Sequence, residues 1–204
     1  MNWNKKTMIN GSRREFLAAT ASSAAGLLLP TGFAWAAADD QDFWAQPRRL
    51  RLYRPDIREA ISEVYWADGH VVESGYLRIC QIMRDTHVNQ SVYMDLRLLD
   101  LCRAVQGYME YYSFTKPLII NSGYRSPITN AKTEGAAKNS MHMHGRALDF
   151  SMPDVPSNYM GSLASHYQGG GVGFYPGAGF THMDTGSVRY WLSGPSLKGL
   201  PQVR

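Results

Sequence analysis

The stretch SMHMHGRALDF, residues 140–150, combines two histidines, a turn glycine and an apolar run that contains an aspartate. His142 stands at the end of a loop, and Asp149 stands inside the strand predicted over 147–152. An ionised aspartate between apolar neighbours is costly to bury unless it is paired or binds a metal ion. The stretch therefore predicts a polar site that is carried by a buried β-strand.

A second strand brings further polar residues. The runs 172–175 and 180–185 flank Pro176-Gly177 and predict a hairpin. His182 and Asp184 are two residues apart in its second arm, so they share one face of that strand. The hairpin therefore offers an imidazole and a carboxylate to the same side of the sheet.

His142, Asp149 and His182 are candidate ligands of a metal ion. Two neutral imidazoles and one carboxylate leave a four-coordinate zinc ion with an open position, which catalytic zinc sites need. The alternative is that these are ordinary polar residues near turns. Spacing by itself favours neither interpretation.

The rest of the chain predicts an α+β domain, with a small antiparallel sheet packed against helices. A hairpin is indicated at Asp68-Gly69, and residues 129–138 form either a loop or a short helix. The other predicted strands are 50–53 and 116–121, and the predicted helices are 76–86, 95–112 and 157–166.

The first 38 residues have the layout of an export signal. Lys5 and Lys6 precede the pair Arg13-Arg14, an apolar stretch follows, and small residues end it at Ala36 or Ala38. The paired arginines indicate the Tat machinery and a periplasmic location, with no membrane anchor after cleavage. Residues 39–48 then predict a flexible leader, and 49–204 a single domain.

Charge gives no support for nucleic-acid binding. The whole chain has a net charge of +4, from 21 basic and 17 acidic residues. Four of the basic residues and one acidic residue belong to the signal, which leaves 17 and 16, a net charge of +1. Cys80 and Cys102 lie on apolar helix faces, so buried thiols and a helix–helix disulfide both remain open.

Four blocks of sequence resemble the zinc peptidases of the LAS group, named after lysostaphin, D-Ala-D-Ala carboxypeptidase and hedgehog. They are Asn121–Ser126, the Ser-x-His-x-x-Gly-x-Ala-x-Asp pattern of Ser140–Asp149, Gly171–Pro176 and Phe180–Gly186. The tail Arg189–Trp191 continues the match. Together these blocks resemble the YcbK/MepK-like branch of periplasmic murein endopeptidases.

The resemblance implies one zinc ion per chain, held by His142, Asp149 and His182. It also implies that Arg125 and Ser140 hold the carboxylate and backbone of a peptidoglycan peptide stem. A guanidinium suits that task because its planar fork meets a carboxylate through two hydrogen bonds. The alternative for Arg125 is a structural ion pair. Tyr175 is expected to form a wall of the substrate site.

The chain departs from many LAS enzymes in one respect. They carry a glutamate three residues before the last zinc histidine, or a histidine two before it, where this chain has Gly179 and Phe180. Neither side chain can move a proton. Asp184 and His144 are therefore the candidate general bases. The alternative for Asp184 is a partner that orients a ligand histidine, and the alternative for His144 is a solvated loop residue.

The expected function is zinc-dependent hydrolysis of a peptide cross-link in peptidoglycan, at a D-Ala–diaminopimelate or a diaminopimelate–diaminopimelate bond. A non-catalytic zinc module that binds murein or a protein is the first alternative. A non-haem iron oxygenase is the second, because His182-x-Asp184 plus a remote histidine imitates the ligand set of those enzymes.

Overall fold

The computed structural model describes residues 42–193. Strands with alternating buried and exposed residues form one mixed sheet. Its strands are β1 (Arg48–Arg54), β2 (Glu59–Ala67), β3 (His70–Val71), β4 (Leu118–Ser122), β5 (Ala147–Ser151), β6 (Gly171–Tyr175), β7 (Phe180–Asp184) and β8 (Arg189–Leu192). The helices are α1 (Glu73–Ile82), α2 (Leu96–Tyr111), α3 (Pro127–Lys132), α4 (Ser157–His166) and a 3₁₀ turn at Met141–His144.

The strand order across the sheet is β3-β2-β1-β4-β5-β7-β6-β8. The β1–β4 and β6–β8 pairs run parallel, and the other neighbouring pairs run antiparallel. The predicted α+β class is confirmed, although this sheet of eight strands is larger than the small one expected. The topology places β5 and β7, the two strands with candidate ligands, side by side.

The helices cover the sheet and complete its core. Helix α2 packs on β1, and α4 packs on β6 and β7. The carboxylate of Asp95 accepts a hydrogen bond from the Arg97 N–H and caps the start of α2, a contact of the kind that contributes about 1 kcal/mol. Large apolar side chains from both layers are fully buried, including Tyr65, Leu98 and Phe150.

The two predicted hairpins are present. Asp68 and Gly69 both have positive φ, as the tight turn between β2 and β3 requires. Strands β6 and β7 pair from Val172 with Met183 to Tyr175 with Phe180. The open choice at 129–138 resolves into the short helix α3, followed by irregular chain.

Helix α1 ends at Ile82, and the prediction that it reaches Thr86 is wrong. The carbonyl groups at its end accept hydrogen bonds from residues distant in sequence instead of from the N–H groups of a further helical turn. The Arg54 guanidinium donates to the Ile82 carbonyl at 3.0 Å, and the Tyr124 N–H donates to the Met83 carbonyl at 2.8 Å. A buried arginine on β1 thus overrides the helical periodicity of the sequence.

The chain divides between Ala45 and Gln46. The export signal predicted over 1–38 and the first three residues of the predicted leader lie outside the described residues. Residues 42–45 form a helical turn, where a flexible leader was expected. Within residues 42–193, no helix has the length and apolar character needed to cross a bilayer.

Cys80 and Cys102 are buried free thiols, which resolves the choice left open by the sequence. The Met94 N–H donates to the Cys80 sulfur at 3.4 Å. Burial raises the pKa of Cys102 to about 12. Neither thiol is in the group of side chains described below.

Candidate metal centre

Three side chains converge on one point at the junction of β5, β7 and the 3₁₀ turn. His142 Nε2 lies 3.2 Å from Asp149 Oδ1, His182 Nδ1 lies 2.8 Å from the same oxygen, and the two nitrogens are 3.2 Å apart. Asp149 and His182 are direct cross-strand partners. The sheet register therefore sets two of the three positions, and the turn supplies the third.

Hydrogen bonds on the far side of each ring fix which nitrogen faces the centre. His142 Nδ1 lies 2.7 Å from the Gly123 carbonyl oxygen. That oxygen can only accept, so Nδ1 carries the proton and Nε2 presents a lone pair. His182 Nε2 lies 2.9 Å from Asp184 Oδ2, which leaves the lone pair on Nδ1. Both rings are therefore oriented as metal ligands.

The three groups influence each other's ionisation. Burial alone would raise the pKa of Asp149, but His142 and His182 outweigh burial and hold it well below the usual range. Burial alone would lower the pKa of His182, but Asp149 and Asp184 raise it above its ordinary value. The centre therefore keeps an ionised carboxylate between two imidazoles.

The donor set fits a small divalent cation. Zinc–nitrogen and zinc–oxygen bonds of about 2.0–2.2 Å in a tetrahedron place neighbouring donor atoms about 3.3 Å apart. The observed separations of 2.8–3.2 Å are slightly shorter than this spacing. Among the described residues, these three form the group of histidine, cysteine and acidic side chains suited to a metal ion.

Asp184 is completely buried, and nitrogen donors surround its carboxylate. Besides His182, it accepts hydrogen bonds from the Gly171 and Gly186 N–H groups at 3.0 and 2.8 Å. The Arg189 guanidinium adds two more, the shorter at 2.6 Å. Burial would raise the pKa of Asp184, but these donors lower it strongly.

Asp184 does not point to the centre, because it contacts the His182 nitrogen opposite the one that does. His182 and Asp184 therefore do not offer their donor atoms to a common point. The ligand pair required by the iron-oxygenase alternative is absent from this part of the described chain.

His144, the other candidate base, is exposed on the 3₁₀ turn. Its Nε2 lies 2.7 Å from Asn139 Oδ1. It is not among the side chains that line the cleft beside the centre. The alternation His142-x-His144 thus sends one ring into the site and leaves the other at the surface.

An open cleft of about 680 Å³ runs past the centre. Arg125, Ser140 and Tyr175 all line it, together with Asp149 and His182. The structure thus brings the three predicted substrate-binding residues to the same cleft as the candidate ligands.

Arg125 faces this cleft with unused hydrogen-bonding capacity. Its Nε is buried and makes no hydrogen bond among the described residues. Its Nη2 reaches only Ser140 Oγ, at 3.5 Å. Burial lowers the pKa of Arg125, although Asp149 opposes the shift. Ser140 Oγ also accepts weakly from the His142 N–H at 3.4 Å and so begins the 3₁₀ turn.

An aromatic wall, made of Tyr175, Phe180 and Trp191, borders the cleft on the side of β6 and β7. The Tyr175 and Phe180 rings stack, with centroids 4.5 Å apart. The Trp191 indole N–H donates to the Tyr175 hydroxyl at 3.0 Å, and its ring lies 5.1 Å from the His182 ring. Of these three residues, only Tyr175 was expected from the sequence to form a wall of the substrate site.

Strand β8 was not predicted as a strand, and the sequence singled out Arg189 and Trp191 only as the tail of the family resemblance, with no role in the site. The available signal was Gly171-Val172-Gly173 in β6, because glycine inside a strand marks a close approach by a neighbour. Gly171 pairs with Arg189, and Gly173 pairs with Trp191. Both β8 side chains occupy the space over the glycine opposite them.

An α+β sheet that brings two imidazoles and one carboxylate together beside an open cleft has the architecture of a metallopeptidase. The family model described as peptidoglycan L,D-endopeptidase MepK matches residues 43–191. The chain belongs to this peptidase family.

Curated relatives agree with the family model. The peptidoglycan L,D-endopeptidase MepK of Escherichia coli K12 is 30% identical over 187 residues, which cover 89% of this chain and 98% of the relative. The Shigella flexneri protein of that name matches to the same extent. A probable peptidoglycan L,D-endopeptidase MepK of Haemophilus influenzae is 40% identical over 114 residues, 54% of this chain and 60% of the relative.

Proposed function

We propose that the protein is a zinc-dependent endopeptidase that cleaves peptide cross-links of peptidoglycan. The convergence of His142, Asp149 and His182 within 3.2 Å of one another carries the proposal. The relatives are named for an L,D-endopeptidase activity. Of the two expected bonds, this favours diaminopimelate–diaminopimelate, because that cross-link joins an L-centre to a D-centre.

His142, Asp149 and His182 would hold the zinc ion, in the ring orientations described above. Zinc at this position supplies Lewis-acid chemistry, since it polarises a carbonyl group and lowers the pKa of water. The protein's own contribution is to place the scissile peptide beside the three ligands and to hold it in one orientation.

Arg125 and Ser140 are proposed to position the substrate. The buried, unpartnered Nε of Arg125 and its neighbouring Nη2 offer two parallel donors to a stem-peptide carboxylate or carbonyl. Leaving such a donor unmatched in a buried place costs about 1–3 kcal/mol. Substrate binding recovers this cost, which favours occupation of the site by an acceptor group.

Tyr175 is proposed to donate a hydrogen bond to the substrate. Its hydroxyl oxygen already accepts from the Trp191 indole. The hydroxyl proton is therefore free to point into the cleft that Tyr175 lines. Its ring, stacked on Phe180, gives the cleft a rigid wall.

Asp184 is proposed to orient His182 rather than to accept a proton from water. Five N–H contacts and complete burial support this role, because a carboxylate so surrounded has little basicity. His144 is the remaining candidate base; because it lies at the surface and does not line the cleft, this role requires the 3₁₀ turn to move when substrate binds. Hydrogen bonds of catalytic groups often form only with substrate bound. A loss of about 10²–10⁴-fold in rate for His144→Ala is the expected sign of that role.

Export by the Tat route to the periplasm is proposed from the signal-like first 38 residues. That compartment contains the proposed substrate. A fusion of this segment to a reporter protein tests the route, and export should fail when Arg13 and Arg14 are both replaced by lysine.

Digestion of purified sacculi by the zinc-loaded protein, followed by identification of the released muropeptides, tests the proposed activity. The proposal expects cleaved cross-links from the wild type and none from His142→Ala, with His70→Ala as a control because His70 is an exposed residue of the β2–β3 hairpin. Equal activity of His142→Ala would refute the proposal. A wild type that binds zinc and sacculi without cleaving them would favour the non-catalytic module.

A further inference from the structure

One row of paired residues crosses the sheet beside the centre. Trp191 on β8 pairs with Gly173 on β6, which pairs with His182 on β7, which pairs with Asp149 on β5. Arg189 stands two residues before Trp191 on β8 and therefore on the same face. Strand β8 is two strands away from β7, yet its side chains reach the candidate ligands.

The glycines of β6 make this reach possible. A Cβ atom added at Gly171 would lie 2.5 Å from Arg189 Nη1 and 2.7 Å from Asp184 Oδ2. A Cβ atom added at Gly173 would lie 2.4 Å from the Trp191 ring. Any side chain at either position would occupy the space that the β8 residues use.

Arg189 ends a chain of contacts that leads to a candidate ligand. It donates to both oxygens of Asp184, at 3.2 and 2.6 Å, and Asp184 Oδ2 holds His182 Nε2 at 2.9 Å. Its guanidinium also lies 5.2 Å from the Trp191 ring centroid. The arginine neutralises a carboxylate that would otherwise be buried with only one ring and two amides as partners.

We infer that Arg189 is a positioning residue of the metal centre: acting through Asp184, it fixes the orientation of the His182 ring so that Nδ1 faces the ion. The inference rests on the zinc site proposed above. Removing Arg189 takes one donor from each oxygen of Asp184. Oδ2, the oxygen that contacts His182 Nε2, keeps no other donor among the described residues and holds the ring less firmly. Partners behind a metal-binding histidine typically contribute about 10–100-fold to metal affinity. Arg189 is partly exposed, so we expect the lower end of that range.

Zinc affinity is the first measurement, by competition of the purified protein with a chromophoric chelator. Arg189→Gln should bind zinc about tenfold more weakly, and Arg189→Lys should recover part of the loss because it retains the charge. Arg48→Gln is the matched control, since it removes another arginine–carboxylate pair, with Asp100 on α2. Equal affinity of wild type and Arg189→Gln would overturn the inference.

A double variant tests the route through Asp184. In an Asp184→Asn background, Arg189→Gln should cause little further loss of affinity, because the link it acts through is already broken. Losses that multiply in the double variant would show that Arg189 acts by another route and would overturn the inference.

Nitrogen-15 NMR of the His182 ring gives a readout that needs no metal. Above the pKa of the imidazole, the wild type should hold a single tautomer with the proton on Nε2, and Arg189→Gln should show a mixture. The same single tautomer in both proteins would overturn the inference. A wild type that keeps this tautomer and binds no zinc would refute the proposed function alone.

Discussion

Replacing Gly173 with alanine tests how β8 is packed over β6. The new methyl group would lie 2.4–2.7 Å from three atoms of the Trp191 indole, so the ring must move away from β6. Overpacking of this kind costs about 1–3 kcal/mol, and losing the Trp191–Tyr175 hydrogen bond costs about 1 kcal/mol. Alanine also lowers the conformational entropy of the unfolded chain relative to glycine, which offsets about 0.4–1 kcal/mol of this loss of stability. The variant should therefore be less stable by about 1–3.5 kcal/mol.

Urea denaturation, followed by tryptophan fluorescence, measures this loss. In a Trp191→Ala background the same glycine substitution no longer meets the indole ring, so the destabilisation caused by that contact should vanish there. The zinc affinity of Gly173→Ala should also fall, because Trp191 no longer packs on the His182 ring. An equal loss of stability in both backgrounds, or no loss in either, would refute this reasoning.

Three further outcomes are expected. Arg125→Ala should lower kcat/KM by about 10–100-fold through the lost charged hydrogen bonds, and Arg125→Lys should recover part of it in the same muropeptide assay. Burial alone would raise the pKa of Asp85, but hydrogen bonds from Thr129, Ser126 and His87 lower it. Its stabilising contribution is therefore present above the unfolded pKa of about 3.9 and is lost as the pH falls below that value. Below that pH, the free energy of unfolding of Asp85→Asn should fall less steeply with pH than that of the wild type, as urea denaturation at a series of pH values would measure. Zinc at 100 times its Kd should raise the free energy of unfolding by about 2.7 kcal/mol. Calorimetry should show this gain, and adding a chelator should remove it.

Sequence reasoning located the parts of the fold that local rules determine. The Asp68-Gly69 turn, the capped helix after Asp95 and the β6–β7 hairpin each follow from a few neighbouring residues. It failed at Thr86, because the end of α1 depends on Arg54, which is far away in sequence. Helical periodicity carries no information about such a distant donor.

In the candidate site, too, some features follow from neighbouring residues and others only from the fold. Strand alternation gave the shared face of His182 and Asp184, and a motif gave the ligand set. Only the fold reveals that Asp184 lies behind His182, since two residues on one face can both point to a centre or form a row leading away from it. The role of β8 was missed because its residues act across a strand whose glycines were interpreted only as a hairpin arm.

A crystal structure of the zinc-loaded protein, with anomalous diffraction measured at the zinc edge, tests the central claim most directly. The account predicts one zinc ion per chain, bound by His142 Nε2, Asp149 Oδ1 and His182 Nδ1 at about 2.0–2.2 Å. Zinc bound elsewhere, or a centre that stays empty with zinc in excess, would contradict it.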